Sequence, residues 1–349
     1  MSGNAERRQR AQSLHERLIE HGRVPLLSWH HVEELMGGED DEAALRRIHL
    51  LQELPMIAFL RLPKDDLGLG SIVQILAAEA MAASEGLRDL ASVRDRAKEL
   101  LLRIGPGVQA VGEDARIWKY IRPIMHSRKM HLEMVSAFGP MKIFDENQTI
   151  GALSKSEINS PRQIRARIDE IYVRVVKEAL QATRQDVARS HAMADAFMKG
   201  VIDLMPPAGT SVRELIVSML VKQGLDEAEI RDEAVLADLS RLAAFRNQLR
   251  IIAPQTGRSF SALKTVPMET LPSQIIAKAL RVHGQARLER PGSDVHDGHL
   301  AALAAYCSVL YVDKRTAEDF VRVQRKEPQL ARLIGKIAKG ADFEALLRS

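Results

Sequence analysis

With 349 residues, 46% of them hydrophobic and 28% charged, the chain is long enough for two domains or for one with a large insertion, and a disordered or low-complexity protein is excluded. Lys and Arg total 50 against 46 Asp and Glu, a net charge of +4, so this is not a polyelectrolyte binder, although arginines cluster at Arg7, Arg8 and Arg10 and again over 122–129. A single cysteine, Cys307, excludes a disulfide framework and any Cys-based zinc site, and aromatics at 4% weigh against recognition by base stacking.

Taken in chain order, residues 1–22 read as a helix, and Gly22 then introduces a short apolar run over 24–27 of strand length. Ser28 is placed to cap a helix carrying His30, His31, Glu33 and Glu34 on its first two turns. A second strand-length run, 56–60, follows Pro55. From about 63 to 268 the text is almost wholly helical, with helices expected over 71–86, 114–137, 162–204, 211–223 and 227–252. The apolar stretch 72–83 is short and broken up by Glu79 and Glu85, so it does not cross a bilayer. The polar N-terminus carries no apolar signal-like core, and a cytoplasmic protein with no membrane partner is expected. An Ala-rich helix over 298–305 leads to a third strand over 309–312. Alternation of short buried runs with helices predicts a small parallel α/β sheet of all three runs, in a protein predominantly α overall. Its two halves, 1–62 and 268–349, flank an all-helical insertion, 63–267.

Three acidic positions fall just past strand ends, where parallel α/β folds place their sites: Glu34; the pair Asp294 and Asp297, which share a helix face; and Asp313. Carboxylates gathered from separate strands repel unless a cation lies among them, and oxygen-only ligands suit Mg²⁺ or Mn²⁺. Such a site suits phosphodiester hydrolysis. Taken singly each acid has a plainer role: Glu33 and Glu34 as a solvated helix face, Asp294 as first-turn acid enrichment, Asp313 as a cap through Thr316. The basic stretch with Arg122, His126, Arg128, Lys129 and His131 reads as a solvated face, Met125, Met130 and Met134 as core or groove filling. His283, His296 and His299 match no zinc spacing, and Gly68-Leu69-Gly70 lacks the third glycine of a nucleotide loop.

The stretch from Ser293-Asp294-Val295-His296-Asp297-Gly298-His299 through Leu310-Tyr311-Val312-Asp313 resembles the C-terminal signature of PIN-like ribonucleases, in which one acid opens an Ala-rich helix and another ends the next strand. The segment Val24-Pro25-Leu26-Leu27-Ser28 with Glu33-Glu34-Leu35 resembles the family's second element, and Leu271-Pro272-Ser273 the lead-in to the last helices of some bacterial members. The resemblance covers about a quarter of the chain. It implies a Rossmann-like PIN fold, Mg²⁺ or Mn²⁺, and Glu34, Asp297 and Asp313 as metal-site acids, with Asp294 a further ligand and His299 close by. It also implies a first strand ending in aspartate, which is not found: 1–22 looks like the helix after that strand, and Glu6, Glu16 and Glu20 do not replace the acid. Either the start lies upstream of Met1 or the site is impaired. Two functions compete: a metal-dependent nuclease acting on RNA rather than DNA, and a catalytically silent PIN-like scaffold whose helical insertion docks a protein or nucleic acid. An ordinary helical regulatory domain is the third reading, and the oligomeric state is left open.

Overall fold

A computed structural model describes residues 13–38, 40–65, 68–138, 145–153, 161–183, 185–203, 211–285, 298–340 and 347. The fold is predominantly helical. Two compact units divide the chain, one drawn from Met1–Ser127, Ile252–Ala286 and His296–Ser349, the other centred on Arg128–Ile251. The chain thus passes between them at 127/128 and 251/252, where the sequence pattern suggested 62/63 and 267/268.

The unit built from both chain ends opens with α1 (Leu14–Glu20), tied to the body where the His15 ring donates from Nε2 to the Met56 carbonyl at 2.9 Å. Then come β1 (Leu26–Leu27), α2 (Trp29–Met36) and α3 (Asp41–Glu53), whose cap, Asp40, accepts from the Glu42 and Ala43 amides. Next are β2 (Ile57–Leu60), α4 (Ile72–Ser84), α5 (Leu90–Leu101), β3 (Leu102–Gly105), α6 (Gly107–Val111) and α7 (Arg116–Phe138), which leads into the second unit. β1 runs parallel to β2, and β3 antiparallel to it. Ile57 and Phe59 are buried with Leu27, Val32, Met36, Ile48 and Trp118 in one core, and Leu60 is buried as well, each large side chain contributing about 1.5–3 kcal/mol by leaving water. Gly70 allows the turn before α4 to close on the end of β2: its N–H donates to the Leu60 carbonyl at 2.7 Å, and a Cβ there would stand 2.9 Å from that of Leu60.

The expected single sheet of 24–27, 56–60 and 309–312 is corrected. The third run, β4 (Val309–Val312), pairs in parallel with β5 (Lys336–Lys339), so the described strands form two sheets, β1-β2-β3 and β4-β5. β5 supplies the parallel partner expected of β1.

In the second unit, α8 (Pro161–Ala182) and α9 (Val187–Asp203) pack Ile171, Val175 and Ala179 against Met193, Ala194 and Met198. The continuous helix expected over 162–204 is therefore two. Gln185 takes a left-handed φ of 70°, and the Asp186 carboxylate accepts from the Arg189 amide to start the second. A separate core joins Ile150 and Leu153 to α10 (Val212–Lys222) and the first turns of α11 (Leu236–Thr256). The helix expected over 227–252 begins instead at Leu236, after a short 3₁₀ turn at Glu227–Glu229. α11 returns the chain to the first unit, where α12 (Pro272–His283), β4, α13 (Lys314–Lys326) and β5 complete it.

Candidate functional site

The turn from β1 into α2 is fixed by a capping arrangement in which histidine stands where Glu or Gln is usual. Ser28 is extended, and its backbone N–H donates to Nδ1 of His31 at 3.0 Å, with its hydroxyl 2.8 Å from the same nitrogen. Nδ1 is thereby an acceptor and the ring neutral. Burial, aided by neighbouring His30, holds its pKa down at about 4. His30 is buried, with Nδ1 3.1 Å from the Glu33 carboxylate and its ring 4.9 Å from that of His299. The helix bearing Glu34 and the 298–300 turn that follows the acidic signature are thus brought together across most of the chain.

Glu34 is exposed at the surface of α2, its carboxyl raised above the usual range by partial desolvation, against the opposing pull of His30. Asp313 ends β4 as expected and is exposed, and its carboxylate accepts from the Thr316 amide at 2.6 Å, capping α13. Asp294 and Asp297 lie outside the described residues. Among the described residues no group of three or more His, Cys, Asp or Glu is arranged to hold a metal ion. No described helix is long and apolar enough to cross a membrane.

Arg122 departs from the solvated face that its sequence context suggested. It is buried, donating from Nε to the Met36 carbonyl at 3.0 Å and bonding the Gly38 carbonyl and the Asp41 carboxylate, so it locks α7 onto the α2–α3 junction. His126 and Arg128 are exposed, and Met125 is core.

A second polar centre is absent from the sequence reading. Glu79, fully buried on α4, accepts from the Ser273 amide at 2.9 Å, the Ser273 hydroxyl at 2.6 Å and the Tyr306 hydroxyl at 2.6 Å. Burial pushes its pKa up to about 7 against these three hydrogen bonds, and burial with the adjacent carboxyl drives the Tyr306 phenol well above its ordinary value. The carboxyl sits at the N-terminus of α12, where amide donors favour negative charge. Its signal was a lone acid inside the apolar run of 72–83.

No family model matches this sequence, and no curated protein or solved structure is significantly similar to it.

Proposed function

We propose that the protein is a PIN-like, metal-dependent phosphodiesterase acting on RNA, with Glu34 and Asp313 as ligands and Asp294 and Asp297 completing the set. The observation that supports the reading is the contact of the His30 and His299 rings, tilted by 35° with centroids 4.9 Å apart, between residues of the two stretches that carry the resemblance. An oxygen donor set of this kind fits Mg²⁺ or Mn²⁺, which would polarise a phosphoryl oxygen and supply hydroxide. This chain's part is to hold the carboxylates: β1 and its Ser28–His31 cap orient α2 and hence Glu34, and β4 carries Asp313.

Millimolar Mn²⁺ should raise the melting temperature, because an ion that binds only the folded state stabilises it, and Asp297→Asn should remove most of that rise. Single-stranded RNA should be cut with Mn²⁺, weakly or not at all where the site lacks the acid that the resemblance expects at the end of a first strand, because a misplaced nucleophile costs on the order of 10²-fold. Asp297→Asn should abolish that cutting. Unchanged cleavage by Asp297→Asn, or no thermal shift in the parent chain, refutes the reading. The silent scaffold is the second reading, favoured by the engagement of Asp313 as a helix cap.

A further inference from the structure

The 13 residues of α13 divide between two faces: Thr316, Ala317, Asp319, Phe320 and Val323 are buried, and Lys314, Arg322, Arg325 and Lys326 are exposed. None of these four cations has a side-chain partner among the described residues, whereas the neighbouring Arg315 is engaged. Glu318 is the one acid on the face, because Asp319 is buried against the Gln285 amide and Glu327 lies 3.1 Å from His283. Arg322 and Arg325 stand one turn apart, with Lys314 on the same side three turns before Arg325, so the cations run along about 18 Å of helix. Exposed Lys339 of β5 is in register with Val312 of β4, which brings a further lysine to the end of the track where Asp313 leads into Lys314. The chain as a whole is nearly balanced at +4. Four unpaired cations against one acid are therefore a local concentration of charge.

The composition of the face decides what neutralises it. Val321, 44% exposed, is its one large apolar side chain, too little to enter a bilayer or to anchor a protein partner. No aromatic of α13 is exposed to stack on an unpaired base. Cations repeated at turn spacing meet instead the regular phosphates of a duplex, which rise about 3.4 Å per step along each strand. We infer that the exposed face of α13 binds the phosphodiester backbone of a base-paired nucleic acid without reading its sequence, through Lys314, Arg322, Arg325 and Lys326. RNA and DNA duplexes carry the same phosphates, and the test separates them. The inference goes beyond the nuclease reading, because binding requires no metal and no bond cleavage; where that reading holds, the track leads to Asp313.

The test uses the full chain in EDTA with fluorescein-labelled RNA and DNA duplexes of about 16 base pairs, so that binding is read apart from metal and cleavage. Anisotropy should rise saturably, and affinity should fall on the order of 10²-fold between about 50 and 200 mM KCl, as the release of about four counterions requires. Arg322→Glu with Arg325→Glu should weaken binding at least about ten-fold and flatten the salt slope by about two. If that variant does not fold, Arg322→Gln with Arg325→Gln decides. Arg165→Glu with Lys177→Glu, the same change of charge on exposed positions of α8, should leave affinity within about two-fold. The duplex bound more tightly identifies the source, and a preference for DNA would count against the RNA substrate of the nuclease reading. Failure to cleave with Mn²⁺ leaves this binding intact, and failure to bind leaves the Mn²⁺ thermal shift intact. Equal weakening by the α13 and α8 variants, tighter binding of a single strand of the same sequence, no binding at micromolar protein in low salt, or loss of phosphatidylglycerol-vesicle binding in the α13 variant with duplex binding unchanged would each overturn the assignment.

Discussion

Two buried groups in the first unit titrate in opposite senses, and Glu79→Gln should separate them. Glu79 holds its proton up to about pH 7 when folded, against an ordinary value of 4.5. The folded chain therefore binds the extra proton between these values, and the stability it confers is full below 4.5 and lost as pH rises through 7. His31 does the reverse: its folded pKa of about 4 lies below the ordinary 6.5, so its contribution is full above 6.5 and lost as pH falls through 4. Each span of about 2.5 pH units corresponds to roughly 3 kcal/mol, an upper figure for the half-buried histidine. The two slopes nearly cancel in the parent. Glutamine cannot titrate, so Glu79→Gln should gain about 3 kcal/mol relative to the parent between pH 4.5 and 7.5, on top of a pH-independent cost for the mismatched amide. His31→Gln, which restores the cap pairing that Ser71 makes with Gln74, should instead remove the acid-side loss. Urea unfolding followed by tryptophan fluorescence reads this unit alone, because both tryptophans, Trp29 and Trp118, lie in it with ring centroids 5.7 Å apart. A difference between Glu79→Gln and parent that stays constant across this pH range would refute the assignment.

Removing Arg122 by Arg122→Ala leaves the Met36 carbonyl without this partner, while the exposed Gly38 and Asp41 turn to water, and should cost about 1–3 kcal/mol in urea unfolding; no measurable loss would show that the clamp is not structural. Asp313→Ala should cost about 1 kcal/mol through the lost cap of α13, whereas Asp313→Asn should cost less, since asparagine caps as well as aspartate. If both variants also abolish the Mn²⁺ thermal shift, Asp313 serves metal and helix together. Gly107→Ala should lower the melting temperature by several degrees, because a Cβ there would run into the Leu51 carbonyl where α6 meets α3; an unchanged melting curve would mean that this junction yields freely.

The strands at 26–27, 57–60 and 309–312 were legible because each is an apolar run beside a breaker or a helix end. β3 was not, because Leu102-Arg103-Ile104 continues the pattern of α5 without interruption until Gly105-Pro106. Nor was β5, whose Lys336 and Lys339 mark an edge strand and read equally well as a polar helical turn. Pairing with β4 is a long-range contact, and local pattern does not carry it. The same limit applies to the sites. The cap at Ser28 and the placement of Asp313 are local and could be read directly. The donors to Glu79 lie 194 and 227 residues further on, so the sequence displayed a misplaced acid and not its partners. Arg122 misled because a buried guanidinium and a solvated one occupy the same kind of helical text.

The assembly of the first unit from both ends of the chain sets an order on its synthesis. Glu79 leaves the ribosome 227 residues ahead of Tyr306, about 10–45 s at common elongation rates. For the first 194 residues of that interval α4, an apolar helix with a carboxylate in its middle, has neither of its side-chain donors and no α12 to cover it. The N-terminal part is held back from its final packing while the helical unit between is made and can fold on its own local contacts. Completion of the first unit is consequently a late, high-contact-order event, and the nascent N-terminal segment is the stretch on which a holding chaperone would act.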